Sequence, residues 1–234
     1  DEEFKIYFLS IIGLTLTVAL VIFFNADVSS LPTETQLIAH PMVYGEFESS
    51  LRHAFFQVVA VITTTGFVTA DFTIWTPFLT ILFFFLMFFG ASAGSTSGGV
   101  KFVRIIIMIK NGFLEFKRSI HPNAIINVRF NKRTVSQDIV LNIMAFFILY
   151  VIVFSVGAGV FGLLGLDFAT SLGGAASSLG NVGPAFGKLS PVNNFNDLPD
   201  LGKWWSAFLM LLGRLELFTV MILFTPYFWK TNKF

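Results

Sequence analysis

Three short peptides in this chain combine glycine with small or hydroxyl-bearing residues. They are Thr63–Phe67, residues 90–99 and residues 180–184. Glycine adopts backbone angles that other residues avoid, so it can turn main-chain carbonyls toward one point. A set of carbonyl oxygens can replace part of the hydration shell of a monovalent cation. The first and third of these peptides therefore predict coordination of a dehydrated cation by the main chain.

The sequence offers little for other chemistry. It contains no cysteine, which excludes disulfides and thiolate metal sites. His40, His53 and His121 lie in or beside loops and lack metal-ligand spacing. Residues 157–162 match a dinucleotide fingerprint by letter, but they lie inside an apolar run with no preceding strand. We expect no enzyme activity, no covalent cofactor and no nucleic-acid partner.

The composition predicts an all-α integral membrane protein in contact with the lipid bilayer. The chain is 55% hydrophobic and 12% charged, and several apolar runs approach the roughly 20 residues that cross a bilayer as a helix. Two runs, 51–62 and 167–179, are too short to cross, and Asp167 is placed to cap the second. The sequence predicts helical runs at 4–24, 51–62, 74–89, 100–109, 139–164, 167–179 and 204–229.

The runs form two imperfect copies of one plan, which is span, half-helix, glycine turn and span. Aligning Gly66 on Gly183 and Gly90 on Gly213 brings the copies into register. We therefore divide the chain into residues 1–112, a basic linker at 113–133, and residues 134–234. Lys and Arg concentrate in 101–133 and at the C-terminus, so the positive-inside rule places both in the cytoplasm.

The two glycine turns are the predicted cation site. The C-terminal end of a half-helix carries a partial negative charge that favours a cation at the turn. An ordinary loop glycine is the alternative for Gly66 taken alone. The carbonyls of Thr65, Gly66, Val182 and Gly183 are the expected ligands. The whole predicted site comprises Thr64, Thr65, Gly66, Phe67, Asn181, Val182, Gly183 and Pro184.

Residues 90–99 predict an unwound segment that gates the site, although tight helix packing through small residues is the alternative. Arg214 stands in an apolar run, where a charge is costly and normally functional. A structural ion pair, for instance with Glu216, is its alternative role. Lys101 can instead extend toward the cytoplasm. The predicted gate residues are Gly90, Gly94, Ser95, Thr96, Ser97, Gly98, Gly99, Lys101 and Arg214.

Four peptides resemble the Trk/Ktr/HKT superfamily of potassium transporters, and in particular its TrkH-type membrane subunits. They are TTTGF at 63–67, GASAGSTSGG at 90–99, GNVGP at 180–184 and GRLELFT at 213–219. The resemblance implies four helix–pore-helix–helix repeats, like those of potassium channels, of which this chain holds the third and fourth. Each repeat would supply one filter glycine, here Gly66 and Gly183.

The same resemblance implies a function and partners. The permeating ion would be K⁺, taken up across the bacterial cytoplasmic (inner) membrane and gated by the 90–99 loop with Arg214. The protein would form homodimers and bind a cytoplasmic nucleotide-sensing ring of the TrkA type. With two repeats only, the filter ring cannot close, so this fragment alone should not conduct.

The residues by themselves are also compatible with two other functions. A broken-helix secondary transporter would move a small solute coupled to an ion, and would need polar side chains converging at mid-membrane. A non-conducting scaffold would only dock a cytoplasmic partner through the basic stretch 110–133.

Overall fold

The computed structural model describes residues 1–25, 46–121, 124, 126–215, 217–223 and 229. The described chain is mostly α-helical, as expected. A two-residue antiparallel pair, β1 (Arg129–Phe130) and β2 (Arg133–Thr134), follows the fourth helix. The helices are α1 (Glu2–Asn25), α2 (Phe47–Ile62), α3 (Pro77–Leu86), α4 (Phe102–Ile120), α5 (Gln137–Leu163), α6 (Phe168–Gly180), α7 (Asp200–Arg214) and α8 (Leu217–Leu223).

Within the described residues, two helices are long and apolar enough to cross a membrane. They are α1 and α5, and the pair α7–α8 adds a third span if it is counted as one. The predicted span at 204–229 is not a single helix in its described part, because α7 ends at Arg214 and α8 begins at Leu217. The Asn181 side chain donates to the Met210 carbonyl at 3.0 Å, which satisfies one oxygen near that helix end. Residues 224–228 of this prediction lie outside the described residues.

The predicted span at 74–89 is also wrong, because α3 has only 10 residues. The Thr76 hydroxyl caps it by accepting from the Leu79 N–H at 3.2 Å, and Pro77 occupies its first turn. The helix stops before Phe89, which pairs with Val100 in an isolated parallel bridge. By contrast, α4 is longer than the predicted 100–109 run and carries the first part of the basic stretch to Ile120.

Small residues let α6 lie at the centre of the described chain. It packs against both α5 and α7. Its eight residues from Gly173 to Gly180 are all buried, and so are Thr170 and Ser171. A second core joins α1 and α2 around Val18, Ile22 and Val58. The short helix α6 is therefore held inside protein, whereas α2 buries one face against α1. Each of the two helices ends at one of the glycine turns.

The predicted cap of α6 is confirmed. The Asp167 carboxylate accepts from the Thr170 hydroxyl at 2.5 Å and from the Thr170 N–H at 3.2 Å. The Thr170 hydroxyl, followed by its N–H, holds the pKa of Asp167 below the usual value. A lowered folded-state pKa contributes stability above the usual aspartate pKa, and this contribution is lost as pH falls through the folded value.

We expect Asp167→Ala to lower stability by about 1 kcal/mol, the typical effect of losing an N-cap. Asp167→Asn keeps an acceptor, so it should retain most of the stability but lose this group's dependence on acidic pH. Thermal unfolding of the full-length protein in detergent between pH 3 and pH 7 measures both effects. Equal melting temperatures for wild type and Asp167→Ala would contradict the capping role.

Candidate functional site

The two glycine turns share positive φ at two corresponding positions. Thr64 and Asn181, which correspond when Gly66 is aligned on Gly183, are left-handed, with φ of 55° and 56°. The two glycines also have positive φ, 75° at Gly66 and 109° at Gly183. A left-handed β-branched threonine is strained, and such strain is found mainly at functional sites.

The turns also share a hydrogen-bond pattern. The Thr65 N–H donates to the Ala60 carbonyl at 2.9 Å, and the Val182 N–H donates to the Ser177 carbonyl at 3.0 Å. Each bond joins the turn to the last part of its helix, α2 or α6. Both turns are therefore fixed to a helix C-terminus, where the partial negative charge of the helix lies.

The fold brings these two turns into contact. A Cβ built on Gly66 would lie 2.2 Å from the Val182 carbonyl oxygen and 3.3 Å from Pro184 Cδ. A Cβ built on Gly183 would lie 3.9 Å from the Gly66 Cα. Residue 66 therefore needs glycine both for its φ and for the approach of the second turn. Thr65 and Phe67 are exposed beside this contact, whereas Val182 is buried.

One serine holds both polar groups of Gly183. The Gly183 N–H donates to Ser177 Oγ at 3.0 Å, and Ser177 Oγ donates to the Gly183 carbonyl at 2.9 Å. One lone pair of that carbonyl is therefore engaged by the protein. Sequence reasoning missed Ser177, because a serine in a small-residue helix is typical of close packing.

Two side chains of α2 hold the segment that follows the first turn. Gln57 Nε2 donates to the Ala70 carbonyl at 3.0 Å, and His53 Nδ1 lies 3.1 Å from Thr69 Oγ1. Gln57 is fully buried. Sequence reasoning predicted neither contact. A glutamine inside an apolar helix that leads to the predicted site could have indicated the first one.

Residues 90–99 leave helical geometry between α3 and α4 and form a closed loop. The Gly90 N–H donates to the Val100 carbonyl at 2.8 Å, and the Val100 N–H donates to the Phe88 carbonyl at 2.9 Å. The loop lies against the end of α6, since a Cβ on Gly98 would be 2.3 Å from the Gly180 carbonyl oxygen. The predicted gate segment thus contacts the helix that carries the second turn.

Lys101 folds back into this loop. Its ammonium group donates to the carbonyls of Ser95 and Ser97, each at 2.6 Å, and is partly buried. Hydrogen bonds of charged donors are stronger than those of neutral ones. In this conformation the side chain does not extend away toward solvent, which was the alternative for this residue.

Arg214 lies beside the same loop. It lines a cavity of about 360 Å³ together with Lys101, Arg104 and loop residues that include Ser95, Thr96, Ser97 and Gly99. The Arg104 guanidinium stacks over the Phe146 ring at 4.2 Å. Arg214 is exposed, and its suggested partner Glu216 lies outside the described residues. Gly94, at the loop tip, has no atom within 4 Å of its Cβ position.

Two acids at the start of α1 connect the loop to the β1–β2 hairpin. The Ala93 N–H donates to Glu3 Oε1 at 2.8 Å. Glu2 pairs with Lys110 and accepts from the Asn131 N–H at 3.0 Å. Sequence analysis did not assign these contacts, because they join residues far apart in the chain.

No group of three or more His, Cys, Asp or Glu that could hold a metal occurs among the residues that the structure describes. What the site offers a cation is main-chain oxygen. The carbonyls of Thr65 and Val182 belong to the peptides whose N–H groups, those of Gly66 and Gly183, point back to α2 and α6. Because a trans peptide is planar with its C=O opposite its N–H, both oxygens point away from their helices.

Comparison with known proteins identifies the family of this chain. A family model described as "TrkH: Cation transport protein" matches residues 4–231. The chain is 37% identical over 230 residues to the Trk system potassium uptake protein TrkH of Halomonas elongata, covering 98% of this chain and 44% of that protein. It is 37% identical over 188 residues to the protein of the same name in Escherichia coli K12, covering 80% of this chain and 38% of that one.

A solved structure resembles the whole described fold. The crystal structure of the potassium transporter TrkH from Vibrio parahaemolyticus superposes with a TM-score of 0.83 at 33% identity. The match covers 98% of this chain and 45% of that chain, so the present sequence spans less than half the length of the relatives it matches. With its two matched glycine turns and small-residue loop, the chain belongs to the TrkH family of cation transport proteins.

Proposed function

We propose that the full-length protein takes up K⁺ across the bacterial cytoplasmic membrane, and that the two glycine turns form half of its selectivity filter. The observation that carries this proposal is the contact between the turns. The Val182 carbonyl oxygen lies where a side chain at position 66 would begin, 2.2 Å from a Cβ built on Gly66. Two peptides that are far apart in sequence meet there, and both have positive φ at the glycine and at the residue two positions before it. The relatives named as potassium uptake proteins support K⁺ as the ion.

The expected ligands are the carbonyls of Thr65, Gly66, Val182 and Gly183. The first and third of these belong to peptides whose N–H groups bond toward the preceding helix, so their oxygens are directed away from it. The helices α2 and α6 both end at the turns, and their dipoles favour a cation there. One glycine per turn, instead of a longer carbonyl ladder, predicts modest discrimination against Na⁺.

The other half of the filter belongs to the rest of the protein. A closed ring needs two further turns, and this chain spans 44% of a relative such as the Halomonas protein. We therefore assign the two units, 1–112 and 134–234, as the third and fourth helix–pore-helix–helix repeats. We further propose that the protein forms homodimers. We also propose that it binds a TrkA-like nucleotide-sensing ring on the cytoplasmic side, near the basic stretch 113–133.

The loop at 90–99 is the proposed gate. Lys101 donates hydrogen bonds to two carbonyls of the loop, and Glu3 of α1 accepts one from the Ala93 N–H. Arg214 lines the cavity beside the loop. A positive charge at this place repels cations approaching the filter. Movement of the loop would open the path, and the hydrogen bonds of Lys101 set how much that movement costs.

Uptake of rubidium and sodium by the full-length protein, in a bacterial strain that lacks its own potassium uptake, tests the function. We expect saturable rubidium uptake that potassium inhibits strongly and sodium weakly. Uptake that survives disruption of both glycine turns would overturn the filter. Strictly coupled movement of an organic solute would instead favour a secondary transporter.

A further inference from the structure

The two turns differ in how the protein holds their glycines. The Gly66 N–H donates to the Ala60 carbonyl at 3.3 Å, which is a long backbone hydrogen bond. At the position corresponding to Ala60 the second repeat has Ser177, whose hydroxyl binds the N–H and the carbonyl of Gly183 at 3.0 and 2.9 Å. Ser177 is 1% exposed, so water does not compete for these bonds.

These bonds orient two peptide planes at once. The Gly183 N–H belongs to the peptide that carries the Val182 carbonyl, and that carbonyl must point opposite to it. Fixing the N–H on Ser177 therefore turns Val182 O toward Gly66, where it is found. The second bond fixes the next peptide, which carries the Gly183 carbonyl. Because the Gly183 carbonyl accepts from Ser177, it faces α6, and Val182 O is the oxygen of this turn that Ser177 directs away from the helix.

We propose that Ser177 is the positioning residue that sets the preference of this site for K⁺ over the smaller Na⁺. This inference rests on the proposed function. In the snug-fit account of selectivity, a cage of carbonyls discriminates between ions because its oxygens cannot close in around the smaller one. The first turn lacks the hydroxyl, so the second turn is the stiffer part of the cage.

The chain offers a matched control on the next residue. The Ser178 side chain is fully buried on the same helix, and its hydroxyl has no hydrogen-bond partner among the residues that the structure describes. Ser178→Ala therefore removes the same atom from the same helix without touching the turn. Ser177→Cys keeps the shape of the side chain, with a somewhat larger sulfur atom, but replaces its hydroxyl with a weak donor.

The experiment measures the permeability ratio of K⁺ to Na⁺ for the full-length protein in liposomes. We expect Ser177→Ala to lower the ratio by about tenfold, equal to about 1.4 kcal/mol, while Ser178→Ala leaves it unchanged. Ser177→Cys should lower it as well, and it decides the matter if the alanine variant does not fold. A merely structural role for Ser177 would lower the melting temperature and leave the ratio of the folded protein intact.

Two different results would overturn the inference, and they can be told apart. If wild type and Ser178→Ala prefer K⁺ and the folded Ser177 variants share that preference within twofold, the inference is overturned and the proposed function stands. If wild type carries neither cation, the proposed function is overturned, and the inference with it.

Discussion

Gly66→Ala should lower rubidium uptake by the full-length protein by roughly tenfold to a hundredfold. The new methyl group would lie 2.2 Å from the Val182 carbonyl oxygen, a distance that real Cβ atoms essentially never show. That oxygen belongs to the backbone of the opposite turn, so relief requires the turn itself to move. Overpacking typically costs about 1–3 kcal/mol, and each 1.4 kcal/mol corresponds to about tenfold.

A second glycine separates this contact from backbone strain. Gly165 has φ of +84°, close to that of Gly66, but nothing lies within 4 Å of its Cβ position. Gly165→Ala therefore carries the same conformational cost without the clash, and we expect nearly normal uptake from it. Initial uptake rates, normalised to protein in the membrane, compare the two variants. Equal losses would show that the strain of an alanine at positive φ, and not the meeting of the turns, is responsible.

Lys101→Met should raise cation flux through the full-length protein. The ammonium group makes two 2.6 Å hydrogen bonds to loop carbonyls, and a bond from a charged donor contributes about 1.5–3 kcal/mol. If the loop gates the pore as proposed, losing about 2 kcal/mol of its stabilisation raises the open fraction more than about tenfold. Methionine keeps most of the length of the side chain but donates nothing, so the loop loses its internal anchor. Flux measured in liposomes without nucleotide reports the change.

Two further variants complete this test. Lys117→Met removes the same charge from an exposed position on α4, and we expect it to leave flux unchanged. Arg214→Ala removes a cation that lines the cavity beside the loop, and should raise flux as well. If Lys101→Met conducts no more than Lys117→Met, the loop is held closed by its other contacts, such as the bond from the Ala93 N–H to Glu3.

Local sequence was sufficient for features that depend on neighbouring residues. Asp167 next to an apolar helix predicts a cap, and the cap is present. Gly66 and Gly183 predict turns, and both have positive φ. The run of small residues at 90–99 predicts an interruption of the helix, and α3 and α4 are separate there. In each case the preferred backbone angles belong to the residue type itself.

Helix lengths were predicted less well, because tertiary contacts decide them. Hydropathy at 74–89 and 204–229 predicts continuous spans. The chain instead ends α3 at Leu86 before the bridge from Phe89 to Val100, and interrupts the last run at Leu215. Apolar composition measures whether a segment can lie in lipid or in a protein core, but it does not determine where the helix bends.

The amino-acid sequence by itself determined that this is a helical membrane protein with two similar glycine turns and a small-residue loop, since composition and residue type are local properties. Only the tertiary structure decided that the Val182 carbonyl oxygen meets Gly66. It alone also showed that Ser177 holds the second glycine turn and that Lys101 holds the 90–99 loop. Those facts depend on the packing of α6 against its neighbours, which brings together residues more than a hundred positions apart, such as Gly66 and Gly183.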